Sequence, residues 1–396
     1  MRNIIIAGAG IGENLRLTQE VINAIENSEY IIAARVHEKI IPADKKIIWL
    51  DDFERAFKIL DNISSALILV SGDPCIYSLM PLVKKRFPDA EIKILSGVSS
   101  LQIICAYACE TWNDAKIFSC HGRELNTGYF LNMIEREHKI ILFCDKHNTP
   151  SCICEKLKEM RLKIFIGENL GMADEKFYVG TPDDFINKKF GSYSIMLILN
   201  NNPFELKNFP GDNDFERALN IPITNEIIRQ VVLSRLDLKN NSVIWDIGAG
   251  TGSISISAAL KNLSCKIHAI EYKSEALKII EANIKKFHLH NINIIQGHAL
   301  DVINNLPEPD NIFIGGSEGE LPGIFERVKY FIEAGKNLRL VMTCVTPENF
   351  NTAYDFMKRL KNFECVQIQA NKLKSAGGKF FMNACNPVIV LSSNTL

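Results

Sequence analysis

Val243-Ile244-Trp245-Asp246-Ile247-Gly248-Ala249-Gly250-Thr251-Gly252-Ser253 is the stretch on which the fold of the second half of the chain turns. An apolar β-branched run leads into three alternating glycines and then into small and apolar residues from Ser255 to Leu260 that suit a helix. The glycines let the backbone turn sharply and approach a ligand with no Cβ in the way. Their spacing differs from the G-x-G-x-x-G of dinucleotide folds, which would place a third glycine at 253, where this chain has Ser. The next apolar run, Lys266 to Glu271, ends on a carboxylate. Working outward, Ser242 to Asp246, Lys266 to Glu271, Asn293 to Gln296, Asn311 to Ile314, Arg339 to Thr343, Glu364 to Ala370 and Pro387 to Leu391 read as strands separated by helix-length segments. Alternation of this kind predicts an α/β, Rossmann-like domain built on one mostly parallel seven-stranded sheet.

A turn alone explains an isolated G-x-G-x-G. Joined to Asp246 on the strand before it and Glu271 at the end of the next strand, it points to a class I methyltransferase site for S-adenosylmethionine. That molecule has no pyrophosphate to cradle. Asp246 is expected to face its cationic amino-acid end, and Glu271 to accept hydrogen bonds from its ribose hydroxyls.

The first half has the same rhythm. Strands are expected at Asn3 to Ala7, Ile31 to Ala33, Ala66 to Val70, Glu91 to Leu95, Lys116 to Ser119, Lys139 to Phe143, Lys163 to Ile166 and Ser194 to Leu199, with a helix from Thr18 to Asn27. Ala7-Gly8-Ala9-Gly10-Ile11-Gly12 also misses the dinucleotide spacing, with Glu13 where the last glycine should stand. Ser71-Gly72-Asp73-Pro74 and Ser96-Gly97-Val98-Ser99-Ser100 follow strands, and open parallel sheets bind ligands at such loops. Asn200-Asn201-Asn202-Pro203 and Asn208-Phe209-Pro210-Gly211 are linker chemistry, so the domains are expected to span residues 1–204 and 205–396.

The 396 residues carry 45 Lys and Arg against 46 Asp and Glu, which leaves no basic field for nucleic acid or an anionic membrane. Eleven cysteines, none spaced C-x-x-C, read as reduced thiols of a cytoplasmic protein with no metal site. Neither a signal peptide nor a membrane span is expected, because no apolar run approaches about 18 residues.

Four stretches of the second half carry a resemblance: Ile221-Pro222-Ile223-Thr224-Asn225-Glu226, the glycine segment, Phe313-Ile314-Gly315-Gly316-Ser317 and Asn383-Ala384-Cys385-Asn386-Pro387. Over residues 212–392 the chain resembles the decarboxylating methyltransferases of cobalamin biosynthesis, which act on a precorrin ring. The resemblance implies cofactor contacts at Thr224, Gly248, Ala249, Gly250, Thr251, Gly252, Glu271 and Ala299. Class I methyltransferases often carry Asp where this chain has His298.

The glycine loop, the Gly-Asp-Pro loop, the Ser-Ser loop and Ser119-Cys120-His121-Gly122-Arg123 make residues 3–200 similar to the tetrapyrrole (corrin and porphyrin) methylases. The family's two α/β subdomains are implied, with Gly8, Gly10, Asp73, Ile76, Ser99 and Ser100 around cofactor and substrate. Family members commonly read Gly-x-Gly-Pro-Gly where this chain has Gly-Ala-Gly-Ile-Gly. Together the two resemblances imply one S-adenosylmethionine per domain and assembly as a homo-oligomer. They also imply C5 methylation of a precorrin or cobalt-precorrin by the first half, and C15 methylation with loss of the C12 acetate carboxylate by the second.

Methyl transfer from a sulfonium needs positioning more than a nucleophilic side chain, in keeping with the absence of a Ser-His-Asp signal. An acid-decorated macrocycle calls for local cations. His121, Arg123, Arg229 and Lys374 are the candidate substrate contacts, against the ordinary alternative of solvated charges. Lys372 to Lys379, basic and glycine-containing, is expected to form a mobile flap over the ring. Two other readings are an RNA or protein methyltransferase, and a nucleotide-binding module in which only the second half turns over.

Overall fold

The structure is a computed structural model that describes residues 2–12, 17–122, 124–205 and 209–395. Its contacts divide the chain into two compact units, residues 1–125 with 137–203, and residues 126–136 with 204–396.

The first unit holds two five-stranded sheets. One contains β1 (Asn3–Gly8), β2 (Tyr30–Ala33), β3 (Lys46–Trp49), β4 (Ser65–Val70) and β5 (Glu91–Leu95), all parallel, in the order β3-β2-β4-β1-β5. Alternation of side chains builds a core on each face, with Ile4, Ile6, Ile32 and Ile68 on one side and Ala7, Ile31, Leu67 and Leu69 on the other. Helix Gln19–Asn27 starts where Thr18 accepts a hydrogen bond from the Val21 amide and buries Val21 and Ile25, one turn apart. The other sheet is mixed, with β6 (Lys116–Ser119), β7 (Lys139–Phe143), β8 (Lys163–Glu168), β9 (Lys176–Gly180) and β10 (Ser194–Leu199) in the order β6-β7-β10-β8-β9.

The second unit is built on seven strands: β11 (Val243–Ile247), β12 (Lys266–Glu271), β13 (Ile292–Gln296), β14 (Asn311–Ile314), β15 (Arg339–Cys344), β16 (Lys361–Ile368) and, after a hairpin, β19 (Val388–Asn394). Their order is β13-β12-β11-β14-β15-β19-β16; the first five are parallel, and β19 runs against both neighbours. Ile244, Ile267, Phe313 and Val341 feed one face of the core, and Trp245, Ile247, Ile312 and Leu340 the other. Because β12 and β14 flank β11 on opposite sides, the strand order reverses at β11, the position at which open α/β sheets form a ligand crevice beyond the strand ends.

Two features add to the sequence reading. The segment expected as a flap is part of a separate hairpin, β17 (Asn371–Ala376) and β18 (Lys379–Ala384), closed by Gly377 and Gly378 at φ of 57° and 74°. Two consecutive positive φ values suit a tight hairpin turn, and glycine takes them without strain. The other is helix Thr127–Arg136, which follows β6 in sequence but groups with the second unit. Its buried Asn132 donates to Leu263 O (3.2 Å) and accepts from the His290 amide (2.8 Å), while Glu135 meets His288 and His290. Among the described residues, no helix is long and apolar enough to cross a membrane.

Candidate functional sites

In the second unit a cleft of about 140 Å³ opens at the end of β11. Gly248 and Gly250 form its floor, both with positive φ. A Cβ on Gly248 would lie 2.5 Å from Gly316 O, so only glycine allows the loops after β11 and β14 to approach this closely. The amides of Gly248 and Ala249 donate to Ile270 O, anchoring the turn to β12.

Glu271 supplies the carboxylate. One oxygen accepts from the Gly250 amide (3.0 Å) and the other from the amides of Tyr272 and Lys273 (2.9 Å each). Three backbone donors fix the group at the cleft and leave acceptor capacity on its oxygens. Opposite, His298 stacks on Tyr272 with ring centroids 4.6 Å apart and lies 3.7 Å from Glu320, whose second oxygen accepts from the Ala299 amide. Ser317 contributes a buried hydroxyl with no hydrogen-bond partner.

Of the residues expected here, Gly248, Gly250, Glu271 and Ala299 line the cleft; Thr224, Ala249, Thr251 and Gly252 do not. Gly252 begins helix Ser253–Lys261 at φ 74°, and Thr251 O accepts from Asn283. Asp246 requires a correction. It is 1% exposed and not among the residues lining the cleft: one oxygen accepts from the amide (3.0 Å) and hydroxyl (2.5 Å) of Ser255 and braces the helix behind the loop, while the other is buried without a hydrogen-bond partner. Burial pushes its carboxyl up to about 6, the Ser255 bonds opposing and the Glu271 charge adding to the rise.

Arg229 is corrected as well. Its side chain is 0% exposed, and its guanidinium donates to Asp212 (2.6 Å), Thr224 O (2.6 Å) and Pro210 O (2.7 Å) and lies 4.7 Å from the Phe215 ring. It pins the segment that enters the unit, which includes the cleft residues Ile221 and Pro222, and cannot touch a substrate. Lys374 is exposed on β17; its neighbour Lys372 pairs with Asp212 at 2.7 Å and ties down the root of the hairpin.

The first unit has a cleft of about 280 Å³ at the ends of the parallel strands. Gly10, Asp73, Ile76, Ser99, Ser100 and His121 line it, all of them expected. Asp73 accepts from the amides of Cys75 (2.8 Å) and Gly97 (3.2 Å), and Ser99 caps helix Ser100–Ala108 in a reciprocal pair with Gln102. Gly8 does not line the cleft. A Cβ there would lie 2.4 Å from Gly72 O and 2.6 Å from Gly97 N, so its task is to let three loops converge. Arg123 lies outside the described residues. The sequence reading missed His37 here and Tyr272, Lys273 and Glu320 in the other cleft, and it placed Ser71 and Tyr77 in or beside a ligand loop without singling them out. Each follows a strand, and that position was the available signal.

Residues 3–185 match the tetrapyrrole (corrin/porphyrin) methylases, and residues 217–394 match the precorrin methyltransferase domain. The cobalt-precorrin-6B C(15)-methyltransferase (decarboxylating) of Salmonella typhimurium is 36% identical over 183 residues, 46% of this chain and 93% of that protein. The precorrin-6Y C(5,15)-methyltransferase [decarboxylating] of a Sinorhizobium species is 24% identical over 375 residues, 92% of this chain and 86% of that protein. A crystal structure of precorrin-6Y C5,15-methyltransferase from Geobacter metallireducens is 31% identical and covers 47% of this chain and 98% of its own, with a TM-score of 0.42. With identity of this level across almost the whole Salmonella enzyme, the chain belongs to the precorrin methyltransferase family.

Proposed function

We propose that the chain is a two-site, S-adenosylmethionine-dependent methyltransferase of cobalamin biosynthesis. It methylates a precorrin, or its cobalt form, at C5 and C15 and removes the C12 acetate carboxylate. The observation that carries this reading is the alignment over 92% of the chain with a relative whose name holds both positions and the decarboxylation. We assign C5 to the first unit and C15 with decarboxylation to the second, one cofactor serving each.

The cofactor, when bound, supplies an electrophilic methyl group on a sulfonium whose leaving group is a neutral thioether. In the second unit, Gly248 and Gly250 provide the close backbone approach and Glu271 the acceptor for ribose hydroxyls; the Tyr272–His298 stack offers a flat apolar face. Gly248, where a Cβ would meet the Gly316 backbone at 2.5 Å, and the unpartnered Ser317 hydroxyl in the lining suit such a ligand. In the first unit, Asp73, Ile76, Ser99 and Ser100 surround the equivalent space.

The protein's contribution to the methyl transfers is orientation, which can supply roughly 7–11 kcal/mol in well-aligned intramolecular reactions. For decarboxylation, the conjugated ring accepts the electron pair released from the acetate, so the second unit need only hold and desolvate that carboxylate.

The test is to incubate the purified chain with precorrin-6Y and 13C-methyl S-adenosylmethionine and follow product mass and methyl resonances. Two labelled methyl groups and the loss of one carbon dioxide are expected. A product lacking the C5 methyl would restrict activity to the second unit, and no methylation of the ring would overturn the reading.

A further inference from the structure

Replacing hydrogen by methyl on a ring carbon makes a demand that cofactor binding does not meet. An electron pair of the ring forms the new C–CH3 bond, and the pair of the broken S–CH3 bond stays on sulfur. The C–H pair then returns to the ring as the hydrogen leaves as a proton. Some group at the cleft must receive it.

In the first unit, the turn Arg35–Ile40 directly after β2 brings His37 to the cleft wall. The side chain is 2% exposed, yet only one ring nitrogen is bonded: Nε2 lies 3.2 Å from Ser71 Oγ, and Nδ1 is buried without a partner. A buried imidazole left half-satisfied is costly and calls for a reason beyond packing. Ser71, at the end of β4, is exposed at the same cleft beside Asp73. The pair therefore runs from the open cleft to a buried proton acceptor.

We propose that Ser71 and His37 carry the proton out of the first cleft. Ser71 Oγ meets the proton leaving the methylated carbon and passes its own hydroxyl hydrogen to Nε2 of His37. Ser71 is the catalytic contact, and His37 is a positioning residue that acts through it. The inference rests on the assignment of ring methylation to the first unit. Burial holds the His37 pKa below its ordinary 6.5, so near neutral pH the ring is uncharged and can accept. The other charged and titratable groups are Arg35, Glu38 and Lys39 on its own turn and Asp73, Tyr77, His121 and Tyr193 in the lining of the same cleft. Arg35 is engaged by Asp51, and Asp73 by backbone amides.

The test uses the full chain with precorrin-6Y and S-adenosylmethionine, scoring C5 and C15 methyl groups separately. His37→Gln keeps an acceptor for the Ser71 hydroxyl but cannot take up a proton. It is expected to slow C5 methylation about 100-fold, with C15 methylation unchanged and calorimetric affinity for S-adenosylhomocysteine within about twofold. The wild-type C5 rate is expected to fall as the pH drops through the His37 titration, and the variant to lack that limb. Without substrate, NMR of the His37 ring should titrate below 6.5, and Ser71→Ala should shift its midpoint.

His37→Gln holding its C5 rate within threefold and keeping the wild-type pH profile overturns the proposal. Should that variant fail to fold, Ser71→Ala decides, and a full C5 rate there is equally fatal. A wild-type chain that never methylates C5 sinks the first-unit assignment itself, a result visible before any variant is made, and this inference falls with it.

Discussion

Gly248 at the end of β11 and Gly8 at the end of β1 solve one steric problem in two settings. Each lets neighbouring backbone approach to a distance no Cβ allows, Gly316 in one case and Gly72 with Gly97 in the other. What surrounds them differs. The second cleft is held by backbone: Glu271 is fixed by three amides, and Gly248 and Ala249 hang on a β12 carbonyl. The first is lined by more side chains, His37 with one unbonded ring nitrogen and the exposed Ser71 and His121, where the second has the unpartnered Ser317 hydroxyl. Acid-accepting geometry built from amides suits a fixed ligand. Side chains that can change protonation suit chemistry in which a proton must move.

The largest expected effect tests whether the second cleft depends on its buried clamp. Arg229→Ala removes the buried cation that holds Asp212, Pro210 and Thr224, leaving Asp212 with Lys372 as its remaining cationic partner and the two carbonyls without their donor. Loss of one partner from a buried pair costs about 3–5 kcal/mol. Chemical denaturation should show the second unit unfolding earlier, with C15 methylation lost and C5 methylation retained. A variant of normal stability with only a raised KM would restore Arg229 as a substrate contact. Next, Gly248→Ala introduces a 2.5 Å contact at a positive φ. Displacing the loop by about 1 Å is expected to cost about 100-fold in C15 methylation, and Gly8→Ala the same at C5. Cross-effects between the two sites would break the picture of independent clefts.

The strands that were hard to read share a physical cause. β3 and β9 lie at sheet edges, and their apolar runs, Ile47-Ile48-Trp49-Leu50 and Phe177-Tyr178-Val179, are short and only partly buried, so they mark a strand weakly. β17 and β18 pair only with each other, and their exposed Leu373, Phe380 and Met382 carry no burial pattern. Central strands such as β4 and β11 were legible because both faces are covered.

At the sites, the glycine turns and the strand-end carboxylate Glu271 were legible from local chemistry alone. Arg229 and Asp246 were not, because a charged residue on a helix or strand looks solvated until its partners at Asp212 and Ser255 are brought to it from elsewhere in the chain. His37 was missed although it follows β2 as Ser71 follows β4; its loop lacks a glycine motif, so its place after a strand was the signal it offered. Helix Thr127–Arg136 shows the same limit, since the carbonyls that receive Asn132 and Arg136 lie at Leu263, Phe287 and His288.

Smaller effects sharpen the comparison further. Asp246 is raised to about 6 in the folded chain. A carboxyl raised on folding holds its proton more tightly in the native state, so its contribution to stability is greatest below the unfolded value near 4 and declines as pH rises through 6. Asp246→Asn removes that decline. Relative to wild type, the variant should gain about 1–3 kcal/mol between pH 4 and pH 7, read from denaturation midpoints at each pH. A difference that stays flat with pH would mean that Asp246 is not a buried charge.

The smallest expected effect belongs to Lys374. It stands exposed on β17, while Lys372 two residues earlier is held by Asp212 and Glu226 and fixes the hairpin's root. An exposed cation contributes about 1 kcal/mol or less to a carboxylate contact and is screened by salt. If the hairpin covers the ring, Lys374→Ala should raise the KM for the precorrin at the second site about threefold at low salt, with less effect at high salt and none at the first. Lys372→Ala should do more, because it frees the root as well as removing a charge. Equal KM values for Lys374→Ala and wild type at low ionic strength would take the hairpin out of substrate binding.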